Sequence, residues 1–139
     1  MHKVFLDSDV VISSLISDLG ASYQLINNKT ATLLISDVSY RELISVIKKL
    51  DLSESKLRNL TKEKINVVKL KKSLKKIKSD YKNYIKDIND AHVVAGAVES
   101  KAGFIITYNT RHFEINKIKE KYRLQVITPG LFLQYLRSK

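Results

Sequence analysis

The chain has 139 residues, with 25 Lys and Arg against 14 Asp and Glu for a net charge of +11, and it has no cysteine. That length supports one domain, residues 1–139, able to bury roughly 68% of its unfolded surface without staples. The missing cysteines exclude a disulfide scaffold, a thiolate nucleophile and cysteine-ligated zinc. Asp7 and Asp9 interrupt the N-terminal apolar run before a secretory segment could form, and no apolar stretch approaches the ~18 residues that a bilayer span needs. A cytoplasmic protein without a membrane partner is expected.

Lys3-Val4-Phe5-Leu6 reads as a buried parallel strand; it stops at Asp7-Ser8-Asp9, and an apolar pattern resumes at once from Val10. Asp7 is then a carboxylate at the C-terminal end of a strand, the edge of an open α/β sheet where ligands bind. The alternative is that Asp7 or Ser8 caps the next helix. Residues 10–27 carry Val11, Ile12, Leu15, Ile16, Leu19, Leu25 and Ile26 at helical spacing, interrupted near Gly20. Residues 31–35 form a second buried strand, stopped by Ser36-Asp37. Leu43, Ile44, Val46, Ile47 and Leu50 mark the apolar stripe of a following helix, in which Ser39 and Glu42 have capping-box spacing.

Residues 52–64 read as a more polar helix beginning near Ser53, and residues 65–70 as a short strand. Over residues 71–86, Leu74, Ile77, Tyr81, Tyr84 and Ile85 share one face of an amphipathic helix whose remainder is lysine. Residues 48–86 hold 14 basic and 4 acidic side chains, a net +10 that predicts a polyanionic partner, most simply nucleic acid. The alternative is a lysine-loaded solvated face. The segment lacks the Trp/Phe-rich side of an interfacial membrane helix.

Asp87-Ile88-Asn89-Asp90 precedes residues 91–98, which are small and apolar around most of the circumference and so predict a helix buried against the sheet, with Asp90 in its first turn. Asp87 and Asp90 also have capping-box spacing. Residues 102–106 form a strand that ends in Thr107-Tyr108-Asn109-Thr110-Arg111. Residues 124–127 form the last strand, and Thr128-Pro129-Gly130 starts a terminal helix, with Pro suited to the first helical position.

Buried strands alternating with helices imply a parallel sheet, which puts every strand C-terminus on one edge. Asp7, Asp37, Asn109 and the helix starts near Glu42 and Asp90 then face one rim. Carboxylates that close would repel one another unless a cation sat among them. Oxygen donors without cysteine or clustered histidine point to Mg2+ or Mn2+. His2, His92 and His112 are scattered in the sequence, and none is read as a ligand.

These residues carry a resemblance. Val4-Phe5-Leu6-Asp7-Ser8-Asp9-Val10 is similar to the opening strand and first acid of the PIN domain, the ribonuclease fold used by VapC-like toxins. Tyr40-Arg41-Glu42-Leu43 resembles the helix with the second acid, Asp87-Ile88-Asn89-Asp90-Ala91-His92-Val93 the third, and the segment from Ile105 to Phe113 the strand end beyond. The resemblance implies an α/β, PIN-like three-layer fold with a central parallel sheet of four or five strands flanked by helices. It implies an active site of Asp7, Glu42 and Asp90 holding Mg2+ or Mn2+, with Asn109 where many members have a fourth Asp. A neutral Asn there favours one firmly held ion over two.

The expected function is metal-dependent hydrolysis of RNA phosphodiester bonds by the toxin of a toxin–antitoxin pair. Asp9, Asp87 and Thr107 are supporting candidates, and Lys71, Lys72, Lys75, Lys76 and Arg111 are candidates for gripping RNA phosphates. The expected partners are the RNA substrate, a cognate antitoxin and a second copy of the chain. The leading alternative is a catalytically weak or inactive RNA-binding module on the same scaffold. A haloacid-dehalogenase-type phosphatase also begins with strand and Asp-x-Asp, but Val10-Val11 stands where its Gly-Thr should follow. A receiver-like phosphorylation module leaves the basic segment unexplained.

Overall fold

The computed structural model describes Met1–Lys139. Strand β1, His2–Leu6, holds Val4, Phe5 and Leu6 without solvent contact, as an apolar run covered on both faces requires. It passes directly into helix α1, Ser8–Ile16, with Asp7 as N-cap. The apolar pattern over residues 10–27 then proves to be two helices, because Ser17 is extended and its hydroxyl accepts the Leu19 N–H, a local bond that competes with the helical ladder. Helix α2, Ala21–Ile26, restarts after Gly20.

Strand β2, Ala31–Ser36, leads without a loop into helix α3, Asp37–Lys49. Its cap is Ser36, whose hydroxyl accepts the Ser39 N–H, so the Ser39/Glu42 pair is no helix start and Glu42 stands in the second turn. Ser53 caps helix α4, Glu54–Glu63, as expected, and strand β3 is Ile65–Val68. Helix α5 is Leu74–Tyr81, shorter than the periodicity suggested. Ser73 caps it and so fixes its start beyond Lys71 and Lys72. It ends in a helical turn, Lys82–Tyr84, after which Ile85 makes an antiparallel bridge to Phe113.

A second short turn, Ile88–Asp90, introduces helix α6, Ala91–Glu99, whose residues from Ala91 to Ala97 are all buried. Strand β4, Phe104–Ile106, follows. Helix α7, Ile115–Tyr122, was not marked by the sequence pattern, since Ile118 is its one fully enclosed side chain among lysines. Strand β5, Gln125–Ile127, leads to helix α8, Pro129–Arg137, with Thr128 as cap and Pro129 in the first turn.

The five strands form one parallel sheet in the order β3-β2-β1-β4-β5. Side-chain alternation divides β1 between two cores: Val4 and Leu6 pack with Leu33, Ile35, Leu43 and Phe132, whereas Phe5 packs with Leu34, Val94, Ile105 and Ile118. His2 closes the first core as one edge of an aromatic group with Phe104, Phe132 and Tyr135. No helix is long and apolar enough to cross a membrane.

Gly96 marks the closest approach of a helix to the sheet, because a Cβ there would overlap the Phe5 ring. Phe5 lies mid-strand under α6, with no exposed side toward which to retreat. Gly96→Ala is expected to destabilise the fold by about 1–3 kcal/mol of overpacking, against which Ala's better helix propensity returns roughly 1. A chemical-denaturation midpoint that did not fall would show that the ring can move aside.

Candidate active site

The chain leaves β1 for β2 and β3 on one side and then returns to place β4 on the other. The segments that follow β1 and β4 therefore diverge, opening a crevice at the point where strand order reverses. Asp7, the first residue after β1, continues the ladder through its N–H to Ile106 O at 2.9 Å. Its carboxylate accepts the Ser8 N–H at 2.8 Å and the Thr107 hydroxyl at 2.9 Å. Asp7 is buried, and burial holds its pKa above the ordinary value in spite of those two bonds, with the Glu42 charge adding to the rise.

Asp9 lies in the first turn of α1 and faces the strand-end segment after β4. Its Oδ2 accepts the Tyr108 N–H at 3.0 Å and the Asn109 side-chain amide at 3.2 Å, while Thr107 Oγ1 stands 3.4 Å away. A threonine has one hydroxyl proton, so the shorter contact to Asp7 is the stronger bond and the contact to Asp9 is secondary. Thr107 Oγ1 also accepts the Asn109 N–H at 3.0 Å, which ties the loop to the same hydroxyl. The second oxygen of Asp9, Oδ1, is buried without a partner. Burial, and next the negative Asp7, push the Asp9 pKa up to about 6.

Glu42 projects from α3 with its side chain half exposed, and its Oε1 lies 3.3 Å from His92 Nε2. The two groups form an ion pair when the imidazole is protonated. The other ring nitrogen lies 3.2 Å from the hydroxyl of fully buried Ser36. Asp90, at the start of α6, has its Oδ2 3.3 Å from His112 Nδ1. Burial first, then the charges of Asp7 and Asp87, raise the Asp90 pKa. The histidines that look scattered in the sequence thus include two that brace acids: His92 holds Glu42, and His112 holds Asp90. Separations of 50 and 22 residues hide both pairs from any local pattern.

Two expected members stand apart. Asp37 accepts the N–H groups of Val38 and Leu70 and pairs with Arg41 at 3.7 Å, joining α3 to the chain after β3. Asp87 accepts the Asn89 N–H and caps the short turn before α6. Asn109 belongs to the group as a donor to Asp9. Among the lysines, Lys72 and Lys76 both pair with Asp80, at 2.8 and 3.1 Å, and Lys72 lies over the Tyr81 ring. Lys71 and Lys75 make no ion pair. Arg111, two residues beyond Asn109, lines a surface hollow of about 430 Å³ together with Lys86, Thr110 and Lys117. A larger hollow of about 540 Å³, between α1, α2 and α4, contains none of the four acids Asp7, Asp9, Glu42 and Asp90.

As the side chains lie, no three acids or histidines converge closely enough to grip one ion. The donor chemistry nevertheless fits a hard divalent cation. The four acids offer carboxylate oxygens, Asp9 Oδ1 is a buried acceptor lacking a donor, and Asp7, Asp9 and Asp90 have raised pKa values.

The raised Asp9 pKa fixes the direction of one pH effect. Between the ordinary value of 3.8 and about 6, folded Asp9 keeps a proton that the unfolded chain has released. The stability this contributes is present below pH ~4 and lost as pH rises through ~6, up to about 3 kcal/mol by linkage and less where solvent reaches the group. Asp9→Asn is expected to flatten that part of the fall in thermal melts between pH 4 and 7, although Asp7 and Asp90 slope the same way. An Asp9→Asn profile parallel to the wild type would place the titration elsewhere.

Acids gathered where the strand order of an all-parallel sheet reverses define an α/β protein whose crevice is built around carboxylates. The chain belongs to the PIN domain family, whose model matches residues 3–111, from β1 through the strand-end segment after β4. A toxin–antitoxin complex from Klebsiella pneumoniae has a similar chain at 18% identity, with a TM-score of 0.66 over 91% of this chain and 97% of that one. A chain of VapBC-1 from nontypeable Haemophilus influenzae is 19% identical, with a TM-score of 0.63 over 92% and 98%. A chain of VapBC2 from Rickettsia felis, bound to a DNA fragment from the promoter of its genes, is 18% identical, with a TM-score of 0.57 over 91% and 98%. At such identities the likeness is one of fold. No curated protein matches the sequence.

Proposed function

We propose that this chain is a metal-dependent endoribonuclease, the toxin of a toxin–antitoxin pair, acting as one cytoplasmic domain over residues 1–139. What supports the reading is the placing of Asp7, Asp9, Glu42 and Asp90 near the point where the strand order of a PIN domain reverses. They lie close enough that the Asp7 charge helps raise the pKa of Asp9 and Asp90, and the Glu42 charge that of Asp7. Asp7, Glu42 and Asp90 would hold Mg2+ or Mn2+. When bound, such an ion supplies Lewis-acid assistance to phosphodiester hydrolysis.

The chain's own groups do the rest. Thr107 fixes Asp7, and Asn109 and the Tyr108 N–H fix Asp9, so these carboxylates cannot swing out to solvent. His92 and His112 restrain Glu42 and Asp90 in the same way. Arg111, two residues beyond Asn109, would meet a phosphate of the substrate. Lys71, Lys72, Lys75 and Lys76 extend the positive surface, with Lys72 and Lys76 partly neutralised by Asp80. An antitoxin partner is supported by the toxin–antitoxin complexes among the similar structures. A homodimer follows from family resemblance.

The test is incubation of purified protein with RNA in EDTA, Mg2+ or Mn2+. Internal cleavage that needs the ion is the expected result, and intact RNA under all three conditions would remove the nuclease reading. One observation favours the alternative of an RNA-binding module: Asn109 stands where many members carry an acid, and here it serves as a donor to Asp9. Binding of RNA without cleavage would select that alternative.

A further inference from the structure

Tyr108 is a large aromatic residue at the rim of the crevice that the proposed chemistry leaves unused. Its N–H donates to Asp9 Oδ2 at 3.0 Å, which fixes its backbone between Thr107 and Asn109, both bonded to the acids. At the other end, its hydroxyl lies 2.6 Å from the hydroxyl of Ser22, a residue of α2 with no solvent exposure. Yet the residue remains 45% exposed. An exposed tyrosine is ordinarily free to rotate, whereas this one is pinned at both ends with much of its ring uncovered. A ring already ordered in the free protein gives up little further freedom when a planar ligand settles on it.

The planar ligand this position suits is a nucleic-acid base. Unpaired bases are bound by stacking on aromatic side chains while cations hold the adjoining phosphates. Here one cation stands on the same segment: Arg111 follows Tyr108 by three residues. We propose that Tyr108 is the stacking platform for an unpaired base next to the scissile phosphate. This rests on the nuclease reading and adds the residue that would hold a base beside the bond to be cut. Ser22 is the positioning residue for the ring.

The chain has no tryptophan, so Tyr108→Trp would place the sole indole of the protein at this position. With metal omitted to prevent cleavage, its fluorescence is expected to be quenched by a single-stranded oligoribonucleotide. Quenching should be weak with an abasic ribose-phosphate oligomer of equal length and with the corresponding duplex. Tyr108→Ala is expected to weaken binding of the labelled single strand by about 5- to 150-fold, the equivalent of one stacked base. Tyr108→Phe, which keeps the ring but loses the bond to Ser22, should bind between wild type and Tyr108→Ala. Thermal melts establish that each variant is folded, and the Tyr108→Ala titration stands even if the tryptophan variant is not. Equal quenching by the abasic oligomer, or wild-type affinity in Tyr108→Ala, overturns the stacking role. Should wild type cut RNA while Tyr108→Ala cuts it with unchanged KM, the platform alone fails. Should wild type neither bind nor cut RNA, the nuclease reading fails first.

Discussion

Asp7→Asn and Asp90→Asn are each expected to reduce ion-dependent RNA cleavage by at least about a hundredfold while leaving the fold in place. Several kcal/mol of transition-state stabilisation pass through the ligands of a catalytic cation, and each 1.4 kcal/mol is tenfold in rate. Asp7 makes the sharper case because it is also the N-cap of α1. A cap lost to Ala costs about 0.5–2 kcal/mol, so loss of activity in that variant would be ambiguous. Asn keeps an oxygen that can accept from Ser8 and Thr107 and removes only the charge that burial disfavours. At neutral pH the Asp7→Asn protein should therefore melt at or above the wild-type temperature while failing to cut RNA. Full activity in either variant would take that residue out of the catalytic group.

The second large effect is expected in cells. Expression of a VapC-like toxin without an antitoxin should arrest growth, and Glu42→Gln should relieve the arrest. Gln keeps the size and shape of the side chain beside His92, 3.3 Å away, but it cannot neutralise a cation. Growth curves after induction of wild type and variant, with equal protein levels established by immunoblot, carry the test. Unimpaired growth with wild-type protein present would count against the toxin assignment and leave the RNA-cleavage assay to decide the chemistry.

The centre of the sheet was legible in the sequence because its strands carry apolar runs with a polar stop, as at Phe5-Leu6-Asp7 and Leu34-Ile35-Ser36. The first acid was legible for the same reason: a carboxylate in that place has no apolar explanation. Helix α7 escaped because one buried side chain, Ile118, leaves no periodic stripe to read. Helix α5 starts later than expected because the apolar stripe begins only at Leu74, so the stripe does not fix the start and the cap at Ser73 does. Asp37 looked equivalent to Asp7, each standing at the end of a strand, yet its carboxylate goes to Leu70 and Arg41. The bracing of Glu42 and Asp90 by histidines was invisible because it is tertiary. Asp9 was ranked as a helper, yet its buried, unpartnered oxygen comes from packing against Tyr108 and Asn109, which no spacing along α1 reveals.

The bond from Thr107 to Asp7 closes a loop of 100 residues. A ribosome adding roughly 5–20 residues per second needs about 5–20 s to cover that distance. During that interval β4 does not yet exist, and Asp7 has neither that strand beside it nor the hydroxyl that fixes it. A chain terminated early, before Thr107, would be inert for the same reason. If the chain cuts RNA as proposed, the messenger and ribosome that make it meet only an incomplete site until synthesis is nearly done.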